Sequence, residues 1–231
     1  MEDLKTNRDA QITVGSIVFF LLAFPLYFGF AAGNADTSLS GSVVADYKVN
    51  GELTYVQLDS GTEYVADGTP WTDTFNTDAV DGADEMNIVG LRLSLSYGED
   101  EQARPGPGCI SQTAVDTITG TATHLNFTGT GDGQNGGADG SHDVTAEWYN
   151  ASMVGAEVIE GLSMDEIKEQ IDSMGAGLGD HTVEISVAAQ ADSCTNPFGG
   201  DNEDNGEEVS YVVELIVFDY TIAPFIEVQA D

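Results

Sequence analysis

Residues 86–97 read MNIVGLRLSLSY. Val89, Leu91, Leu93, Leu95 and Tyr97 alternate with Gly90, Arg92, Ser94 and Ser96. A period of two sends successive side chains to opposite faces of a strand, one face buried and one wet. The same beat recurs on either side. In His181–Ala191 the residues Val183, Ile185, Val187, Ala189 and Ala191 share a phase, and Val144, Ala146 and Trp148 alternate with Thr145, Glu147 and Tyr149. Thr113–Thr128 is strand-like and dense in threonine, with Val115, Leu125 and Phe127 on one phase. Val209–Val228 is apolar on both faces up to Pro224, which reads as a central strand. Asn50-Gly51 separates Ser42–Val49 from Glu52–Leu58 and predicts a hairpin, because a tight turn there needs positive φ at both central residues. Stretches 67–85, 98–108, 129–142 and 192–208 are rich in Gly or acidic residues and read as loops.

One helix is expected. Ser163 and Glu166 make a capping box before the stripe Met164, Ile167, Ile171 and Met174, with Leu162 as a staple and Gly175 or Gly177 as the stop. About seven or eight strands and one short helix predict a mainly β chain, an antiparallel β-sandwich with the helix over one end or edge.

Upstream of the sandwich, Ala10–Ala35 contains no charge, and its apolar centre is Ile12–Ala32, ITVGSIVFFLLAFPLYFGFAA. As helix it would span about 31 Å, the thickness of a bilayer's hydrocarbon core. Lys5 and Arg8 precede it, so the positive-inside bias places residues 1–11 in the cytoplasm. The expected organisation is a cytoplasmic tail (1–11), a transmembrane helix (12–32), a stalk (33–41) and an extracellular sandwich (42–231). A cleavable signal peptide is the rival reading, but its apolar core is normally about 7–15 residues.

The net charge is −34, from 40 acidic against 6 basic residues. Such a surface repels nucleic-acid phosphates and anionic headgroups, and it calls for salt or divalent cations to screen it. The scarcity of lysine with abundant Asp, Glu, Thr and Gly resembles a proteome adapted to high salt. Cys109 and Cys194 are the two cysteines, expected to form one disulfide in an oxidising exterior. Asn126-Phe127-Thr128 and Asn150-Ala151-Ser152 are glycosylation sequons.

No catalytic pattern stands out. His124, His142 and His181 are far apart in the chain, and there is no CxxC, GxSxG or Walker motif. The expectation is a protein that is not an enzyme. Calcium is the sharper candidate, because two segments concentrate oxygen ligands. One carries Asp132, Asn135, Asp139 and Asp143. The other carries Asp201, Asn202, Glu203, Asp204, Asn205, Glu207 and Glu208. The second begins like an EF-hand loop, but its closing position is Val212 and no helix pair flanks it, leaving an irregular loop site. Trp71, in Thr69-Pro70-Trp71-Thr72, is a candidate exposed aromatic for a glycan, whereas Trp148 reads as core.

A short apolar N-terminal helix followed by an immunoglobulin-like sandwich is similar to archaeal surface proteins, including archaellins and pilins. Gln11-Ile12-Thr13-Val14-Gly15-Ser16-Ile17-Val18-Phe19-Phe20 resembles the start of the mature archaellin helix. Arg8-Asp9-Ala10 departs from that family's processing site, and Pro25 interrupts the helix. The resemblance implies surface exposure, with the lipid bilayer and an envelope protein as partners. Filament or filament-accessory assembly is the alternative.

Overall fold

The computed structural model describes residues 46–98, 115–135, 139–190 and 204–225. The apolar run 12–32, the stalk, Cys109, Cys194, Asp201 and Glu203 lie outside them. Among the described residues no helix is long and apolar enough to cross a membrane.

Among the described residues, eight strands form two four-stranded sheets. They are β1 (Tyr47–Ala66), β2 (Trp71–Asn76), β3 (Ile88–Tyr97), β4 (Asp116–His124), β5 (Phe127–Asn135), β6 (Gly140–Glu147), β7 (Asp180–Ala188) and β8 (Gly206–Pro224). One sheet runs β1-β8-β3-β6 and the other β2-β7-β4-β5, and every pairing is antiparallel. This order is that of an eight-stranded jelly roll. It differs from the immunoglobulin arrangement, where the first strand pairs with the second; here β1 pairs with β8.

The alternation in 86–97 is seen in β3. Leu91, Leu93, Leu95 and Tyr97 face the main core with Ile118, Val183, Ile185, Val213 and Leu215. A register shift between Ile88 and Gly90 turns Val89 to the other side, into a second cluster. That cluster explains why β8 is apolar on both faces. Its odd residues Val209 to Val217 line the main core, while Ile216 and Phe218 pack with Tyr47, Val49, Met153, Ile159, Ile167 and Ile171.

The helix α1 (Met164–Ile171) covers this second face. Ser163 Oγ accepts from Glu166 N–H, and Glu166 Oε2 accepts from Ser163 N–H at 2.8 Å. The Ser163 backbone N–H and then its hydroxyl hold the Glu166 carboxyl below its ordinary range. Ile167 and Ile171 are buried, but Met164 is 40% and Met174 64% exposed, so the stripe is narrower than expected. The helix stops at Ile171, before either glycine.

Three readings are corrected. Asn50-Gly51 is not a turn; both residues pair within β1, opposite Thr221 and Tyr220. A Cβ on Gly51 would lie 2.4 Å from the Phe218 ring, so the glycine serves close approach rather than positive φ. The expected loop 67–85 contains β2, with Trp71 and Phe75 packed on the core. Most of the expected loop 129–142 is strand: residues 129–135 belong to β5 and 140–142 to β6.

Candidate functional site

β4 carries a polar residue at each end of its inward face, with apolar Ile118 and Ala122 between. Asp116 is 1% exposed and His124 is 1% exposed. Each sits in a cluster drawn from distant parts of the chain.

At the first end, ligand atoms of Asp116, Asp204 and Glu207 lie within 4.8 Å of one another. Glu207 is 0% exposed. The surrounding backbone supplies donors to this end. Gln190 N–H donates to Asp116 Oδ1 at 2.6 Å, and Gly206 N–H donates to Asp204 Oδ1 at 3.1 Å. Asn135 is fully buried beside them, where its Oδ1 accepts from Asp116 N–H at 3.0 Å. Three carboxylates so close, two of them out of water, match the oxygen-rich chemistry of a hard cation.

This arrangement brings together only part of the expected calcium set. Asn135, Asp204 and Glu207 come to the cluster, from the two segments expected to hold ligands. Asp132 does not: it lies exposed on the outer face of β5, where Thr119 Oγ1 donates to it at 2.6 Å. Asp139, Asp143 and Asn205 are also exposed and are not in the cluster. Asp116 was not anticipated. The available signal was its place on the inward phase of a strand.

At the other end, the jelly roll joins two histidines that are remote in sequence. His124 ends β4 and His181 begins β7, and their rings stack with centroids 4.2 Å apart and planes 20° apart. Trp148 covers His124 at 4.7 Å and donates its Nε1–H to Ile88 O at 2.8 Å. Both rings reach the connection that follows α1. His124 Nδ1 lies 3.0 Å from Asp180 O and its Nε2 2.6 Å from Ala176 O. His181 Nε2 lies 3.1 Å from Gly177 O, while its Nδ1 is buried without a hydrogen-bond partner. Burial and then the neighbouring His124 push the His181 pKa down to about 4, against smaller opposing effects of Gly177 and Asp180.

The remaining candidates separate. His142 is elsewhere, with Nδ1 3.2 Å from Tyr97 Oη and Nε2 3.2 Å from Gly131 O. Trp71 is not a free aromatic platform, since it packs on Tyr211 at 4.9 Å. Asn126 is exposed in the β4–β5 turn, as an acceptor for a glycan must be. The Asn150 side chain is engaged instead. Its Nδ2 donates to Gln170 Oε1 at 2.8 Å, and its Oδ1 accepts from Ser152 N–H and Oγ–H.

No protein-family model matches the chain, and no curated protein matches it. A solved structure titled Desmodium yellow mottle tymovirus is similar over 80% of this chain and 92% of its own length, at 11% identity and a TM-score of 0.22. A likeness that weak carries no argument about what this chain does.

Proposed function

We propose that this chain is a single-pass, membrane-anchored surface protein that projects its acidic sandwich outside the cell. It acts by contact rather than catalysis, as an envelope or interaction component. Residues 12–32 supply the anchor and Lys5 and Arg8 the orientation. The fold alone supports no activity, since jelly rolls host unrelated functions.

The observation that carries the contact role is β1. It is 20 residues long and forms an edge of its sheet. Among the described residues its outer side pairs only through the bridge Tyr47–Ile159. An edge strand offers a row of backbone donors and acceptors to an added strand. The apolar C-terminal run is central, as its two-sided apolar pattern predicts, and β8 offers no edge because it lies between β1 and β3. β1 also carries a register shift between Gln57 and Asp59, and the acidic residues Glu52, Asp59 and Glu63. Bulges and like charges oppose pairing of this edge with a second copy, which favours a different, less acidic partner.

The test is fractionation of cells producing the full chain, followed by protease treatment of intact cells. Retention in carbonate-washed membranes, with the sandwich accessible to external protease, is expected. A soluble, protected sandwich would refute the reading. A mature N-terminus near Gln11 would favour the filament alternative.

A further inference from the structure

The histidine end of the core contains an unusual count of hydrogen-bond groups. Two imidazole rings have four nitrogens. Three of them face backbone carbonyls, at Asp180, Ala176 and Gly177. A carbonyl oxygen only accepts, so each of these nitrogens must carry a proton for its bond to form. His124 faces a carbonyl from both nitrogens, so both of its bonds form only in the doubly protonated ring. His181 then carries one proton, on Nε2, and its Nδ1 is bare. With all three bonds made, the pair holds three protons and one positive charge. Trp148 lies against His124 with ring centroids 4.7 Å apart and planes tilted by 38°, close enough for its aromatic face to favour a charge there.

Two of the carbonyls, Ala176 and Gly177, belong to the connection from α1 to β7, and the third, Asp180, is the first residue of β7. The backbone of the connection is held by little else near the rings. Thr77 exchanges bonds with Gly179, and Asn87 Oδ1 accepts from Ser173 N–H. Gly177 sits so close to β3 that a Cβ there would lie 2.4 Å from Ile88 O. Met174, a non-glycine, has φ of 50°, a strained conformation that its contacts must hold, while Gly175 (82°) and Gly179 (107°) supply positive φ without that cost.

We propose that the His124–His181 stack is a proton-operated clasp: one buried imidazolium fastens the 173–180 connection to the end of the sandwich, and a second proton opens it. That proton has one place to go, Nδ1 of His181. There it would find no acceptor, and it would set a second positive charge 4.2 Å from the first, away from water. The depressed pKa of His181 agrees with a charged neighbour. Asp180 opposes the effect, but its Oδ1 is already bound by Asn76 Nδ2–H at 2.6 Å. The other elements against the rings present Trp148, Phe127 and, opposite His181, Phe75, and residues 173–179 contain no titratable side chain. Opening has a consequence at the surface. Leu178 and Gly179 line a concavity together with Asp78, Asp81 and Asp84. Release of the connection therefore remodels that acidic hollow.

The test uses the full chain in detergent micelles, with ring ¹⁵N shifts and amide hydrogen exchange. At pH 7, His124 is expected to show two protonated-type nitrogens, and His181 one, on Nε2. Between pH 7 and pH 4.5 the protection factors of the Ala176, Leu178 and Gly179 amides are expected to fall at least tenfold, with those of β3 and β8 unchanged. His181→Phe keeps an aromatic stack but removes the receiving nitrogen, and should abolish the pH dependence. Two neutral rings at pH 7 would overturn the proposal, whether or not the variant folds. An identical pH response in wild type and His181→Phe would also overturn it.

Discussion

The two ends of β4 close the same core in opposite ways. At Asp116 the buried groups are acceptors, and the connecting backbone offers N–H groups, from Gln190 and Gly206. At His124 the buried groups are donors, and the backbone offers carbonyls, from Ala176, Gly177 and Asp180. A sandwich end must be covered by loop backbone, and loop backbone brings polar groups that need partners when buried. The side chain that plugs each end is therefore matched to the sign of the dipoles arriving there. What differs is the chemistry gathered there. Three carboxylates lie at one end, whereas two imidazole rings stack at the other.

The largest effect should come from neither end. Ile118 lies between them on β4 and is fully buried in the main core. Ile118→Ala should cost about 2–5 kcal/mol in equilibrium unfolding, by lost transfer energy and the cavity left behind. The cost should be independent of pH. A marked pH dependence would mean that the middle of the strand is coupled to its ends, and the comparison would fail.

The histidine end should give the next largest effect, and one that depends on pH. His181 has its pKa lowered in the folded state from 6.5 to about 4. Its neutral form is favoured on folding, so its contribution is fully present above about pH 6.5. It is lost as pH falls toward about 4 and is constant below that. The full swing is about 3 kcal/mol. Carboxylates in this acidic chain titrate nearby, so the quantity to measure is the stability difference between wild type and His181→Phe. That difference should shift against the wild type on acidification. A constant difference from pH 8 to pH 4 would remove the distinction between the two ends.

How much of this was legible depends on where apolar side chains meet the period. β3, β7 and β8 were readable because Leu91 to Tyr97, Val183 to Val187 and Val209 to Val217 keep phase with large residues. β5 was not, because its inward positions are Gly129, Gly131 and Gly133. A Cβ on Gly129 would lie 1.9 Å from Thr145 O, so β5 runs against β6 too closely for any side chain, and the sequence shows only a glycine-rich stretch. β2 was hidden by its short length and by Asp73 between Trp71 and Phe75. The helix cap was legible because it is local, needing only Ser163 and Glu166. The histidine end was missed and the carboxylate end only partly found, because each is assembled across the two-sheet topology. The signal was present but faint: Asp116 and His124 share a phase with Ile118 and Ala122, and His181 shares one with Val183 and Ile185. A polar residue in the buried phase of a strand end marks a plug.

The carboxylate end should respond to what its backbone donors lose. Asp116→Ala deprives Gln190 N–H of its acceptor and should cost about 1–3 kcal/mol. Asp116→Asn keeps an oxygen for that bond while removing one of three neighbouring charges, so it should cost less than half as much. The two variants are compared by denaturant midpoint at pH 7. Equal losses would show that charge, not the accepted hydrogen bond, is what Asp116 contributes.

The smallest effect should come from the start of α1, and it tests whether the histidine end stands alone. Ser163→Ala removes the cap and should cost about 1 kcal/mol. The helix leads into the connection beside the histidines, so fraying that ran its whole length would loosen them. Asn87 stands between the two. Its Nδ2 donates to Ile171 O and to Phe218 O, each at 3.1 Å, while its Oδ1 accepts from Ser173 N–H at 2.8 Å. One side chain thus ties the last turn of α1, the first residue of the connection and β8 into a fixed point. A disturbance at the N-terminal turn is absorbed there. The Ser163→Ala variant should therefore lose stability while leaving the pH midpoint of exchange at Ala176 and Leu178 where it is in wild type. A shifted midpoint would mean that helix and clasp are one cooperative unit, and that the histidine end extends back to Ser163.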